Sequence, residues 1–389
     1  MIAAASNPGR IASGVLVLLV LDVAPAIVSP YALHILSTLG IAVVLALGLN
    51  ILMGYAGQVS LANAAFFGIG TYGVAVLANG YGLAFWLAVP LVAAATAVIG
   101  LLVGLPALRV SSHHLALATL AFVWTVQVVL INWVSVTGGS PGLATSRTAM
   151  GLGVFGSDWA YYLLILAVTA TMLALAAGIV RSKTGRAFTA IRDNENAAEI
   201  MGVNLARYKT MAFAVNAFYC AVAGGLQAGL IRFLDPYEFG LWPSVWHLLY
   251  IVVGGLGTIS GSILGPILLV SLPEALRTFA EYRELIFAVV LLLTLIYLPG
   301  GLAGFAARLA PVRHRSGPGA AAPPVRLATA HVRAPQRGEA LVVDGVRLSF
   351  GGVQALQSAS LTVAEGQIRA LRAHPETNAR TGGVFGCMV

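Results

Sequence analysis

Charge is what this chain has least of. Only 9% of its 389 residues are Asp, Glu, Lys or Arg, while 59% are hydrophobic. A soluble domain carries about 25% charged residues, so the composition excludes an ordinary water-soluble globule and points to a multi-pass membrane protein. Lysine is nearly absent: Lys183 and Lys209 are the only two. No Gly-x-x-x-x-Gly-Lys-[Ser/Thr] run occurs, so no loop here would cradle nucleotide phosphates with backbone amides and a lysine. Two cysteines, Cys220 and Cys387, are too few for a disulfide framework or a thiolate metal cluster. His34, His113, His114 and His247 are scattered without ligand spacing, so no metal site is expected. A membrane enzyme needs converging acid–base or metal groups. Between Ile11 and Val180 there are four charges, Asp22, Arg109, Arg147 and Asp158, so no catalytic residue is assigned.

Long apolar runs are what is there. A helical span needs about 20 of them, and plausible spans are 11–28, 31–53, 59–79, 82–105, 114–135, 159–180, 210–231, 243–272 and 285–299. The expected fold is therefore all-α, with about 8–10 membrane segments. The polar stretch 181–209 interrupts the series with Arg181, Lys183, Arg186, Arg192, Arg207 and Lys209 against Asp193, Glu195 and Glu199. Its basic excess assigns it to the cytoplasmic side. Mixed apolar and charged residues over 197–203 suit a short amphipathic helix that docks on a partner. The net charge of +8 is explained by topology and does not imply nucleic acid.

Counting spans forward from 181–209 creates a conflict. The arginine-rich 308–337 belongs inside by its charge, yet two single crossings by 243–272 and 285–299 would leave it outside. The conflict disappears if 243–272 breaks at Gly254-Gly-Leu-Gly-Thr-Ile-Ser-Gly261, enters the bilayer and returns. The alternative is one long tilted helix there, with 59–79 as the irregular segment. A second Gly-interrupted stretch lies at Gly54–Gly70. Two interrupted segments in the two halves of a membrane protein point to a pathway at their interface, because irregular backbone at membrane depth survives only where protein buries it or water reaches it. Gln58, Ser60, Asn63, Gly254, Gly255 and Gly257 are thus candidate pathway residues. The blander reading makes them glue between closely approaching helices.

Five blocks resemble branched-chain amino acid ABC transporter permeases: LGLNILMGYAGQVSLANAAFFGIGTYGVAVL (47–77), ALRVSSHHLALATLAF (107–122), TGGSPGLA (137–144), GRAFTAIRDNENAAEIMGVNLARYKTMAFAVNAF (185–218) and GGLGTISGSILGPILL (254–269). They occur in the family's order over about residues 30–305. The resemblance implies an inverted-repeat importer permease in a bacterial inner membrane, with a second permease subunit, two ATPases and a periplasmic binding protein as partners. The permease binds no cofactor, and ATP is used by the ATPases. The resemblance makes 181–209 the cytoplasmic coupling loop, its E-A-A-x-x-x-G element falling on Asn196-Ala197-Ala198-x-x-x-Gly202. Asn196 stands where the family has Glu, with Glu195 one residue earlier and Arg192 three residues before that, in the same coupling loop. The small alanines would let the helix approach its partner, and Gly202 would end it. Sister permeases import urea or short amides. A gradient-driven secondary transporter is the reading from another class.

Residues 306–339 read as a disordered Pro/Gly/Ala/Arg linker. The segment ALVVDGVRLSFGGVQALQSASLTVAEGQIRAL (340–371) resembles the opening strands of an ABC ATPase, with Phe350 at the adenine-stacking position. The phosphate loop expected next is replaced by RAHPETNARTGGVFGCMV, so 340–389 is expected to be a truncated, incomplete α/β fragment. An interrupted, non-functional permease–ATPase fusion is the further possibility. The C-terminus is expected in the cytoplasm.

Overall fold

The computed structural model describes residues 29–106, 112–145, 147, 150–277, 282–298, 300–309, 339–350 and 353–364. The expected first span 11–28 with Asp22, nearly all of the linker, and the tail beyond residue 364 lie outside the described residues.

Helix α1, Pro30–Leu49, starts with proline at a position that needs no N–H, and the Ser29 hydroxyl accepts from Ala32 N at 3.4 Å. It tightens into a π turn, Asn50–Tyr55, and the chain then runs irregularly until α2, Asn63–Tyr81. There follow α3, Phe85–Gly104, and α4, Ser112–Asn132. After the short α5, Val134–Thr137, a two-residue strand β1, Leu143–Ala144, pairs antiparallel with β2, Phe233–Leu234. Helix α6, Asp158–Arg181, is capped by Ser157, whose hydroxyl accepts from Ala160 N at 3.2 Å. Two short helices, α7 (Lys183–Asp193) and α8 (Glu195–Ile200), connect it to α9, Leu205–Leu230.

Helix α9 is the axis of the bundle, packed against α1, α2 and α3. Small residues make this possible: Gly70 of α2 lies on Ala221, Gly100 of α3 on Ala217, and Gly224 on Phe67 and Thr71. Helices in lipid gain little from hydrophobicity against each other, so close backbone approach supplies the packing. Phe66, Phe213 and Tyr219 fill the centre, and the Tyr219 hydroxyl donates to Met172 O at 3.0 Å. Trp86, Leu102, Leu117, Trp124 and Leu175 on the outer helices are exposed, as a lipid- or partner-facing surface requires. Among the described residues, five helices are long and apolar enough to cross a membrane: Pro30–Tyr55 with its π turn, Phe85–Gly104, His114–Asn132, Asp158–Arg181 and Leu205–Leu230.

The segment expected at 243–272 is two helices. Helix α10, Leu241–Gly254, and helix α11, Gly261–Ala275, form a hairpin, and the chain continues into α12, Arg283–Tyr297, and α13, Gly301–Leu309. At 1.5 Å per residue each hairpin arm is roughly 22 Å long, short of a bilayer core of about 30 Å. The turn of the hairpin lies at the end of the bundle that carries α7 and α8, hereafter the basic end: Arg192 Nη1 donates to Gly54 O at 2.8 Å, and Gly54 abuts Gly257. Its return arm finishes at the opposite end, where the Tyr31 hydroxyl donates to Glu274 Oε2 at 2.5 Å. Beyond α12, Gly300 and Gly301 lie against Gly254 and Gly255, back at the basic end. The hairpin therefore runs from the opposite end of the bundle to the basic end and back, rather than stopping at half depth as expected, and residues 300–303 share an end with the basic loop. The single tilted helix does not occur, and the 59–79 run is regular from Asn63 onward.

The second compact unit contains a separate antiparallel pair, β3 (Glu339–Phe350) with β4 (Val353–Ala364). Phe350 closes the pairing opposite Val353.

Candidate coupling and pathway site

The connection between α6 and α9 is built from caps. The Ser182 hydroxyl accepts from Thr184 N at 3.1 Å and donates to Ile179 O at 2.6 Å, so one side chain ends α6 and starts α7. Asn194 caps α8 by accepting from Ala197 N at 3.0 Å, and Asn204 caps α9 by accepting from Arg207 N at 3.0 Å. Gly202 closes α8: with φ at +84° it donates to Glu199 O at 2.9 Å, while Val203 N reaches Ala198 O at 3.0 Å. That paired closure needs a left-handed residue, which glycine adopts without strain.

The orientation of α8 differs from expectation. Ala198, expected on the docking face, is buried against the rest of the chain, where the helix must come close to its own bundle. Asn196 and Ala197 are exposed, and the helix tip presents Ile200 and Met201 at 85% and 83% exposure. Together they form an exposed apolar knob at the end of the polar loop.

Two side chains tie this loop to the helix breaks. Arg192 donates to Gly54 O at 2.8 Å, and also holds Asp193 at 3.2 Å. Glu195 accepts from Lys209 Nζ at 2.7 Å and from Gln58 Nε2 at 3.5 Å. Lys209 is buried, its side chain 8% exposed, so Glu195 is the counter-charge that lets an ammonium stay there. Gln58, expected to line a pathway, thus sits at the basic end in contact with the loop.

The two Gly-interrupted segments meet there. A Cβ on Gly54 would overlap Asn50 Oδ1 and Gly257 N, so only glycine permits the approach. Asn50, 1% exposed, clasps the junction. Its Nδ2 donates to Thr258 O at 2.7 Å and Ser262 Oγ at 2.8 Å, and its Oδ1 accepts from Gly257 N at 2.8 Å. The breaks are therefore real, with Gly254, Gly255 and Gly257 on one side and the π turn on the other.

Ser60 and Asn63 make separate contacts. Ser60 Oγ accepts from Ala62 N at 3.2 Å and so serves the backbone before α2. Asn63, 0% exposed, accepts from Cys220 Sγ at 2.9 Å through Oδ1. Sequence reasoning missed Asn50, Asn216 and Ser244, and it gave His247 no role. A lone polar residue inside an apolar run is a signal for each, but its partner lies on a distant segment and cannot be read from the run.

These features define a class: a multi-pass helical membrane protein with a broken-helix pair joined to a polar loop that presents an apolar knob. Residues 31–297 match the family described as the branched-chain amino acid transport system permease component, and the chain belongs to it. It is similar to the high-affinity branched-chain amino acid transport system permease protein LivM of Escherichia coli (strain K12), 34% identical over 310 residues and 73% of each chain. LivH of Salmonella typhimurium is 30% identical over 190 residues, 46% of this chain and 61% of that protein. A probable branched-chain amino acid transport permease protein LivH of Methanocaldococcus jannaschii is 24% identical over 286 residues, 67% of this chain and 88% of that protein. No solved structure matches the chain. The chain is thus a permease subunit of an ATP-binding-cassette transporter, a transport component rather than an enzyme, which works with other permease and ATPase subunits.

Proposed function

We propose that this subunit moves branched-chain amino acids across a bacterial inner membrane, with the basic end in the cytoplasm and ATP consumed by separate ATPases. The observation that carries the coupling is the α8 tip: Ile200 and Met201 project outward while Arg192 and Glu195 of the same loop hold Gly54 and contact Gln58. A partner ATPase that seats the tip and closes on ATP would pull this loop. Arg192 and Glu195 would pass the displacement to the π turn and to the α10–α11 turn that Asn50 clasps. Such a switch between two discrete arrangements is the general mode of alternating access. Cytoplasmic placement of the basic end is supported by the six Lys and Arg of 181–209, and residues 300–303 share that end. The substrate class comes from the named relatives, and a periplasmic binding protein would deliver it to the opposite end.

Residues 340–371 are proposed to be the opening strands of an ATPase domain. The β3–β4 pairing with Gly351-Gly352 between the strands supports a hairpin of that kind. With no phosphate-loop sequence, this chain hydrolyses no ATP by itself.

The test is co-purification with the partner permease and ATPase in detergent. Ile200→Glu together with Met201→Glu is expected to release the ATPase while the permease pair stays intact. Retention of the ATPase by that variant would move docking elsewhere. No ATPase bound to either protein form, with uptake insensitive to ATP depletion, would replace the reading with gradient-driven transport.

A further inference from the structure

Three buried side-chain nitrogens lack a partner among the described residues: Asn63 Nδ2, Asn216 Nδ2 and His247 Nδ1. All three fall around the first turns of α2. Cys220 Sγ bridges the two amides, donating to Asn63 Oδ1 at 2.9 Å and Asn216 Oδ1 at 3.5 Å, which leaves both NH2 groups unpaired. His247 stands edge-on to Phe67 with ring centroids 5.7 Å apart, one turn beyond Ser244 on α10. Ser244 Oγ in turn accepts from Ala64 N at 3.2 Å. Asn63 and Asn216 are both 0% exposed.

Such a concentration is costly. A buried donor without an acceptor forfeits its hydration, and in a bilayer no neighbouring water restores it. The rest of the described polar interior is satisfied: Asn50, equally buried, makes three hydrogen bonds. The two orphaned groups on α2 and α9 are NH2 donors, and they ask for an acceptor. They lie where the 19-residue α2 begins, with no side chain of its own at the cap, so the positive end of its dipole faces the same place. An acceptor carrying negative charge fits both demands.

We infer that Asn63 and Asn216, at the N-terminus of α2, form a subsite for the carboxylate of the transported amino acid, occupied when the pathway opens. The inference rests on the transport reading and adds where the solute is held on its way through. The groups contributed are neutral donors, so the carboxylate is held by hydrogen bonds and a helix dipole rather than by a fixed cation. That suits a passage site, which must release its solute. It also gives a carboxylate an advantage over a solute that lacks one.

The test uses the assembled complex of permease pair and ATPase, with valine and valinol, its carboxylate-free analogue, as probes. Valine at millimolar concentration is expected to raise the melting temperature of the wild-type complex, and valinol to leave it unchanged. Asn63→Leu and Asn216→Leu, close in size to asparagine, remove an unpaired donor. Each is expected to raise the melting temperature of the ligand-free complex, abolish the valine shift and lower uptake at least tenfold, with the ATPase still bound. Asn63→Asp keeps the size, adds a charge that repels a carboxylate, and is expected to lose the valine shift as well. Equal shifts by valine and valinol, or full uptake by both leucine variants, would overturn the inference and leave an internal water as the occupant. Loss of the ATPase from the wild type would count against the transport reading instead, and the valine shift would still report the subsite.

Discussion

The Glu195–Lys209 pair offers a perturbation whose size follows from burial. Glu195→Gln leaves the Lys209 ammonium, 8% exposed, opposite a neutral amide. Removing one partner of a fully buried ion pair costs about 3–5 kcal/mol, and removing an exposed pair costs about 0–1 kcal/mol. Here the ammonium is buried but the carboxylate side chain is 42% exposed, so the cost falls between the two. We expect about 1–3 kcal/mol, or roughly fivefold to over a hundredfold in the equilibrium for local opening of the loop. The effect is asymmetric. Lys209→Met removes the charge that needs a partner and leaves Glu195 with access to water, so it costs less than Glu195→Gln. Hydrogen exchange of the 194–205 amides reads the opening directly, and ATP hydrolysed per solute moved reads its consequence. Glu195→Gln is expected to speed exchange and raise that ratio, and the double variant to resemble Lys209→Met. Equal effects of the two single variants, or a double-variant coupling below about 0.3 kcal/mol, would refute the pair as a buried latch.

Ala198→Glu forces a charge into the seam between α8 and the bundle, so the melting temperature of the permease itself should fall, whereas Ile200→Glu should leave it unchanged and only weaken ATPase retention in a pull-down. Asn50→Leu strands the groups it bonds at Gly257, Thr258 and Ser262, at about 1 kcal/mol each, and thermal unfolding should report a loss near 3 kcal/mol. Gly54→Ala drives a methyl into Gly257 and is expected to cost about 1–3 kcal/mol, together with loss of uptake in proteoliposomes. Burial, and secondarily Asp235, holds the Glu238 carboxyl above its usual value of 4.5. The neutral form is thus favoured in the fold, and the stability it gives below the unfolded value is lost as pH rises through the raised one. Glu238→Gln should flatten that pH dependence in melting experiments.

Much of this molecule was legible before any coordinates. Apolar run length and the scarcity of charge determined that it is a helical membrane protein, because a bilayer tolerates few alternatives. Basic residues marked 181–209, and the glycines at 54–70 and 254–261 marked where helices break, since those signals are local. The arginines after residue 308 favoured a broken segment at 243–272 over a single tilted helix, and two helices are found there. The sequence could not say what the breaks face. Only the tertiary structure brings Gly54 onto Gly257, places Gln58 beside Glu195, and turns Ala198 inward and Ile200 outward. Nor could it pair Asn63 with Cys220, separated by 157 residues. A hydrogen-bond partner or a buried face depends on which helices cross and at what height. Small residues along α9 decide that by letting several helices close in at once, a collective result that no single stretch of the chain encodes.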